Sequence, residues 1–329
     1  MASDTDDGSA NALGSMTISE LESQVRDRIN RSRVQHELMA NPADWKVLCS
    51  SLDIVGDTEL ALDSYLNQRH VEDAGLSYLY VYGAMQILQT QQDAVREICE
   101  VLEVVVPRSP ELLDIREIRN NSVGHPARRK KGKAESSNFI VRISISQHGF
   151  TLMTEYLDGT PYRQSHVDIP RLIEIQRNVL RSTLEEVLNK MDETESRHRS
   201  AHRDEKLAHA FPRTLSYYFS KIFEAIHDEA HFSLGAMHVT LVSECVARFK
   251  ELLEKRGEWG INASIDYEYE LLEYPLVELK SFFTDGATSK LNVKDAYIFC
   301  SFIHERLENL QQFAGEIDEK YAKSPSEEC

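Results

Sequence analysis

Arg119 and His125 stand at the ends of an Arg-x5-His spacing, inside the stretch DIREIRNNSVGHPARRKK that runs from Asp114 to Lys131. These residue types suit a site that handles phosphates. A guanidinium can hold a phosphate by two parallel hydrogen bonds and stabilise charge that grows in a transition state. An imidazole titrates near neutral pH, so it can take a proton or give one. Asn120, beside the Arg, could orient the His or the phosphate. A plain structural reading is open as well. Arg119 could pair with Glu117 or Asp114 and face water, and His125 could cap a helix end beside its carbonyls.

The elements around the pair decide whether it can cooperate. On a continuous helix, six positions turn a side chain by about 600°, or roughly 240° after a full turn. Arg119 and His125 would then point to different sides, so the helix must end between them. Asn120, Asn121 and Ser122 are modest helix formers. Gly124 suits a left-handed C-terminal cap, with Pro126 close behind. That places Arg119 on the last turn and His125 on a corner just past it. The helix begins at Ser109, a cap residue, with Pro110 at the first helical position. Ahead of it, AGLSYLYVYGAMQILQTQQDAVREICEVLEVV is long and apolar on one side, as a central core helix would be. Thr17 and Glu20 form a capping-box signal for an earlier helix. PADWKVLCSSLDIVGDTELALDSYL adds one or two more.

With these residues in this order, the stretch resembles the HEPN superfamily (higher eukaryotes and prokaryotes nucleotide-binding). Its ribonuclease members carry an Arg, a polar residue and a following His behind a long helical core. Here these are Arg119, Asn120 and His125, and the resemblance covers roughly residues 18–205. It implies a metal-independent endoribonuclease with no cofactor, in which Arg119, His125 and Asn120 are the catalytic residues. The expected products are a 2′,3′-cyclic phosphate and a 5′-hydroxyl. It also implies a homodimer in which both chains present Arg119 and His125 to one cleft. The role would be that of a bacterial toxin or phage-defence effector, with RNA as substrate and a cognate antitoxin or defence-system protein as a further partner. Ala127 stands where tyrosine-modified members of the superfamily have their Tyr, so that form of regulation is not expected. The alternative is a non-catalytic HEPN-like module that binds nucleotide or protein in a larger assembly.

Directly after the His come Arg128, Arg129, Lys130, Lys131 and Lys133, and Arg116 lies one turn before Asn120. They are candidate RNA contacts, since phosphate neutralisation supplies most non-specific affinity. The competing reading is a solvated loop ahead of a strand. The chain as a whole carries a formal net charge of −17, so phosphate binding must rely on such a local patch.

The rest of the chain fixes the fold class: mainly α, a helical bundle with a small antiparallel β-meander and a second helical domain. NFIVRISIS, FTLMTEYL and YRQSHVDI are short and rich in Phe, Ile, Val, Thr and Tyr, which places the meander at about 138–168. Residues 1–16 read as a disordered tail or an expression remnant, 17–205 as the HEPN-like domain and 206–329 as the C-terminal helical domain. Five scattered cysteines without a CxxC pair argue for a reducing compartment, hence the cytoplasm. No apolar run is long enough to span a membrane.

Two His-rich stretches compete for attention. Glu224, His227, His231 and His238 would share one face of a continuous helix, yet Asp228 breaks the His-Glu-x-x-His pattern and no second Glu-x-x-His unit exists. The polar edge of an amphipathic helix is the better reading, and no metal site is expected. His198, His202 and His209 read as an exposed helix end or hinge. No phosphate-binding loop, dinucleotide fingerprint or Gly-x-Ser-x-Gly is present.

Overall fold

The computed structural model describes residues 16–105, 107–131, 134–285 and 289–323. The chain is mainly α-helical with one small antiparallel sheet, as the sequence indicates. It divides into two compact units, 1–191 and 192–329. The first fifteen residues of the anticipated tail, and Lys133 of the basic cluster, lie outside the described residues. No helix among the described residues is long and apolar enough to cross a membrane.

The first unit opens with α1 (Ile18–Ile29), α2 (Ser32–Met39), α3 (Pro42–Leu66), α4 (Ala74–Val101) and α5 (Pro110–Arg119). The capping box at α1 is formed: Glu20 N–H donates to Thr17 Oγ1 at 3.2 Å, and Thr17 N–H donates to Glu20 Oε2 at 2.7 Å. Ser109 Oγ accepts from Leu112 N–H at 3.2 Å and caps α5, with Pro110 at its start. Leu21, Val25, Leu48, Leu52, Ile98 and Leu184 form one apolar core. Leu62, Met85, Leu88, Ile115, Phe150 and Val167 form another, in which the sheet packs on α5.

A buried polar seam shares these helices. Arg177 pairs with Glu59 at 2.8 Å. Gln91 donates to Glu59 at 2.6 Å, Gln176 donates to Gln91 at 2.7 Å, and Gln92 donates to Gln176 at 2.7 Å. Arg116 ends the chain, with its Nε–H on Gln92 Oε1 at 2.7 Å. Each buried amide is therefore satisfied, and a slip of α4 would orphan several at about 1–3 kcal/mol apiece. The seam fixes the register in which α4 presents its residues to α5.

The sheet has the order β1 (Arg129–Lys131), β2 (Ala134–Ile140), β3 (Gly149–Tyr156), β4 (Arg163–Asp168), all neighbours antiparallel. β1 and the first residues of β2 precede the meander read from the sequence. The basic segment is thus an edge strand, a position where Lys and Arg discourage pairing with a further strand.

From Ile169, α6 (Ile169–His202) leads on. The second unit is built on α7 (Leu215–Ile226), α8 (Phe232–Arg256), α9 (Ala263–Thr284) and α10 (Val293–Ala322) around Phe219, Phe249, Leu279 and Ile303. Gly235 lies within α8 and does not break it. A Cβ there would come within 2.5 Å of the Phe283 ring, so glycine is required by close packing. His198 Nε2 lies 2.9 Å from the Tyr321 hydroxyl, and the His198 and His202 rings stack at 4.8 Å. His198 packs on Tyr321 of α10 and His202 on His198, and His209 alone of the three matches the exposed position expected.

Candidate active site

α5 does not stop at Arg119. It widens into a single π turn, Asn120–Gly124, closed by His125 N–H donating to Asn120 C=O at 2.8 Å. Such turns are rare and recur at functional sites. The local sequence favours it. Buried Ser122 back-bonds to Ile118 C=O at 2.7 Å, which loosens the α ladder. Pro126 bars its predecessor from helical geometry, and His125 takes φ −142° and ψ 57°. The imidazole is exposed at the resulting corner.

The expected left-handed cap at Gly124 is not what the chain uses. Positive φ occurs at Glu103, Gly159, Gly257 and Gly260, not at Gly124. Gly124 serves instead to admit the guanidinium of Arg119. A Cβ on Gly124 would lie 2.6 Å from Arg119 Nη1 and 3.4 Å from Cζ. The π turn thereby brings Arg119 over Gly124, the residue that precedes His125, whereas five positions of regular α-helix would turn them about 140° apart.

Arg119 is held by amides. Its Nη1 donates to Asn120 Oδ1 at 3.1 Å and its Nη2 to Gln86 Oε1 of α4 at 2.6 Å. No carboxylate bonds it among the described residues, so the pairing with Glu117 or Asp114 does not occur. Its buried Nε–H has no acceptor among the described residues. The result is a guanidinium oriented by amides, with no carboxylate partner among the described residues, against Gly124, the residue that precedes exposed His125. Two neutral amides orient it at far less cost to its charge than a carboxylate would. Gln86 escaped the sequence reading, although glutamines on an otherwise apolar helix were the available signal.

The neighbouring cations are arranged differently. Arg116 pairs with Asp93 at 2.6 Å, in addition to its bond to Gln92. Partial burial works to raise the Asp93 pKa, but bonds from Gln89 and Arg116 outweigh it and hold the carboxyl below its usual range. Arg116 therefore acts as the tether of α5 on α4. Arg128 pairs with Glu135 at 2.7 Å, and Lys130 lies 3.8 Å from the same carboxylate. Arg129 pairs with Glu117 at 2.7 Å and donates to Asn121 Oδ1, bracing the π turn from β1. Lys131 ends β1.

These pairings refine the expected effect of charge removal. If the strand contacts RNA, as the ribonuclease resemblance implies, replacing Arg128, Lys130 and Lys131 with alanine should weaken RNA binding and flatten its salt dependence, by up to about 0.7 in log–log slope per lost single-strand phosphate contact. Cleavage at saturating RNA should change little. Anisotropy titrations across a salt series would read this, and an unchanged affinity and slope would assign the strand a purely structural role.

The Glu224–His238 face dissolves in the structure. α7 ends at Ile226, a short turn Glu229–His231 follows, and His238 is buried in α8 with Nδ1 2.8 Å from Leu234 C=O. Among the described residues no three His, Cys, Asp or Glu side chains converge as metal ligands would. Comparisons with protein-family models, curated proteins and solved structures return no match.

Proposed function

We propose that the chain is a metal-independent endoribonuclease of HEPN type. The observation that carries this reading is Arg119 seated on Gly124, the residue before exposed His125, with no carboxylate partner among the described residues. In the proposed reaction an imidazole takes the proton of a ribose 2′-hydroxyl. The oxygen attacks the adjacent phosphorus, and the bond to the 5′-oxygen breaks as that oxygen gains a proton. Arg119 stabilises the extra charge on the phosphoryl oxygens, and Asn120 and Gln86 hold its fork. A bacterial toxin or phage-defence role, a cytoplasmic location and an antitoxin or defence-system partner follow from the same resemblance and stand or fall with it.

The working unit is a homodimer in this proposal. One chain offers a single His at the phosphate, whereas cleavage profits from a base and an acid. A two-fold axis supplies the second set. The surface of α4 that leads to Gln86 supports it: Leu76, Leu79 and Tyr82 are 48%, 68% and 41% exposed. Apolar exposure of this kind, concentrated beside a polar site, is typical of an interface. Mixed dimers of wild-type and His125→Ala chains should be strongly impaired. A fully active monomer in sedimentation, or mixed dimers that keep half the wild-type rate, would break this part of the reading.

A second reading has its own observation. Arg116, Arg128, Arg129 and Lys130 all carry acidic partners, which leaves fewer cations for RNA and favours the alternative of a non-catalytic module that binds nucleotide or protein.

A further inference from the structure

A cleft of about 500 Å³ opens between α5 and the inner face of the sheet. This lies within the range of small-ligand sites. One wall is α5 with Asn121 of the π turn, so the cleft shares an element with the Arg119–His125 corner. The other wall is polar by register. Arg129, Ser136 and Tyr156 stand side by side on β1, β2 and β3, and Thr154 faces Arg163 on the next row.

Two charges in the cleft are unspent. Arg163 is exposed on β4 and has no side-chain partner among the described residues. Asp114, on the helix wall, has none either. Arg129 and Glu117, which also line it, pair with each other at 2.7 Å. A ligand that satisfies both must carry an anion and hydrogen-bond donors, with a flat face for the half-buried Tyr156 ring.

We propose that this cleft binds one guanine ribonucleotide unit of the RNA, beside the scissile phosphate. The carboxylate of Asp114 accepts the two adjacent N–H groups of guanine's Watson–Crick edge, an edge that adenine and uracil do not present. Tyr156 stacks on the base, the common mode for unpaired RNA. Arg163 takes a phosphate through its fork. The assignment of the nucleotide to RNA rests on the ribonuclease reading of the corner, whereas binding itself is measured without cleavage.

Calorimetry with guanosine and adenosine 5′-monophosphates tests it. The wild-type chain should bind the guanosine form about tenfold or more tightly than the adenosine form, the discrimination a good bidentate contact gives. Asp114→Asn should lose that preference. Arg163→Ala should weaken both nucleotides alike. Both side chains are exposed, so the variants should melt as the wild type does. Guanosine monophosphate should also displace a short labelled RNA from the uncleaving His125→Ala chain. Binding without displacement would put a free nucleotide in the cleft and overturn the RNA assignment. No saturable binding, or both variants binding as the wild type, would overturn the cleft as a nucleotide site, and neither result would touch the ribonuclease reading.

Discussion

Arg119→Ala and His125→Ala should each reduce RNA cleavage by at least about a hundredfold, the usual loss when a proton-transfer group or a charge-stabilising donor is removed. Neither should unfold the chain. His125 is exposed and its side chain makes no bond among the described residues, so its loss should shift stability by no more than about 0.5 kcal/mol. Arg119 contributes bonds to Asn120 and Gln86, both polar and accessible enough to be resolvated. Arg119→Lys separates charge from geometry. It keeps the cation but loses the planar fork that two amides orient, and should recover little activity. Single-turnover rates with a defined RNA, alongside thermal melts, measure both halves. Cleavage at the wild-type rate in either alanine variant would remove that residue from the mechanism.

Gly124→Ala is the sharper probe, because it deletes no functional group. The added methyl would sit 2.6 Å from Arg119 Nη1, so the guanidinium must move. The atom displaced is the end of a flexible side chain, and Gly124 does not use a positive φ, so the backbone cost is small. A displacement on the order of 1 Å at a positioned catalytic group can cost about a hundredfold in rate. Cleavage should therefore fall by roughly that factor while the melting temperature stays within a few degrees, as about 1 kcal/mol would allow. Full activity in Gly124→Ala would mean that the seat of Arg119 on Gly124 is irrelevant to turnover.

Much of the first unit is legible along the chain because its signals are local. Thr17 with Glu20, Ser109 with Pro110, and the apolar face of α4 each declare a boundary or a core within a few residues. The need for a break between Arg119 and His125 follows from helical rotation alone. The form of the break does not. A π turn depends on Ser122 turning back to Ile118 and on Arg129 reaching across from β1, and neither is visible in a window of sequence. Gly124 misleads for a related reason. Glycine permits a left-handed residue and permits close approach, and only the position of the Arg119 side chain tells which is used. The basic run shows the same limit, since its partners Glu117 and Glu135 come from a helix and a neighbouring strand. In the second unit α9 runs from Ala263 to Thr284 straight through Pro275. An interior proline costs a helix about 3 kcal/mol, so its local signal points to a break, yet Pro275 is buried in the middle of this one beside Leu276 and Leu279. The Glu224–His238 face rested on a single helix that Asp228 interrupts by capping the next turn, its Oδ1 accepting from Ala230 N–H at 3.0 Å.

The central claim, cleavage by the chain's own Arg and His, is tested most directly by incubating the purified protein with RNA in excess chelator and mapping the ends. Cleavage should persist and leave 2′,3′-cyclic phosphate and 5′-hydroxyl termini, since the 2′-oxygen is the nucleophile. Cleavage that stops with chelator, returns with a divalent ion and leaves 5′-phosphates would contradict it, as would intact RNA at every protein concentration.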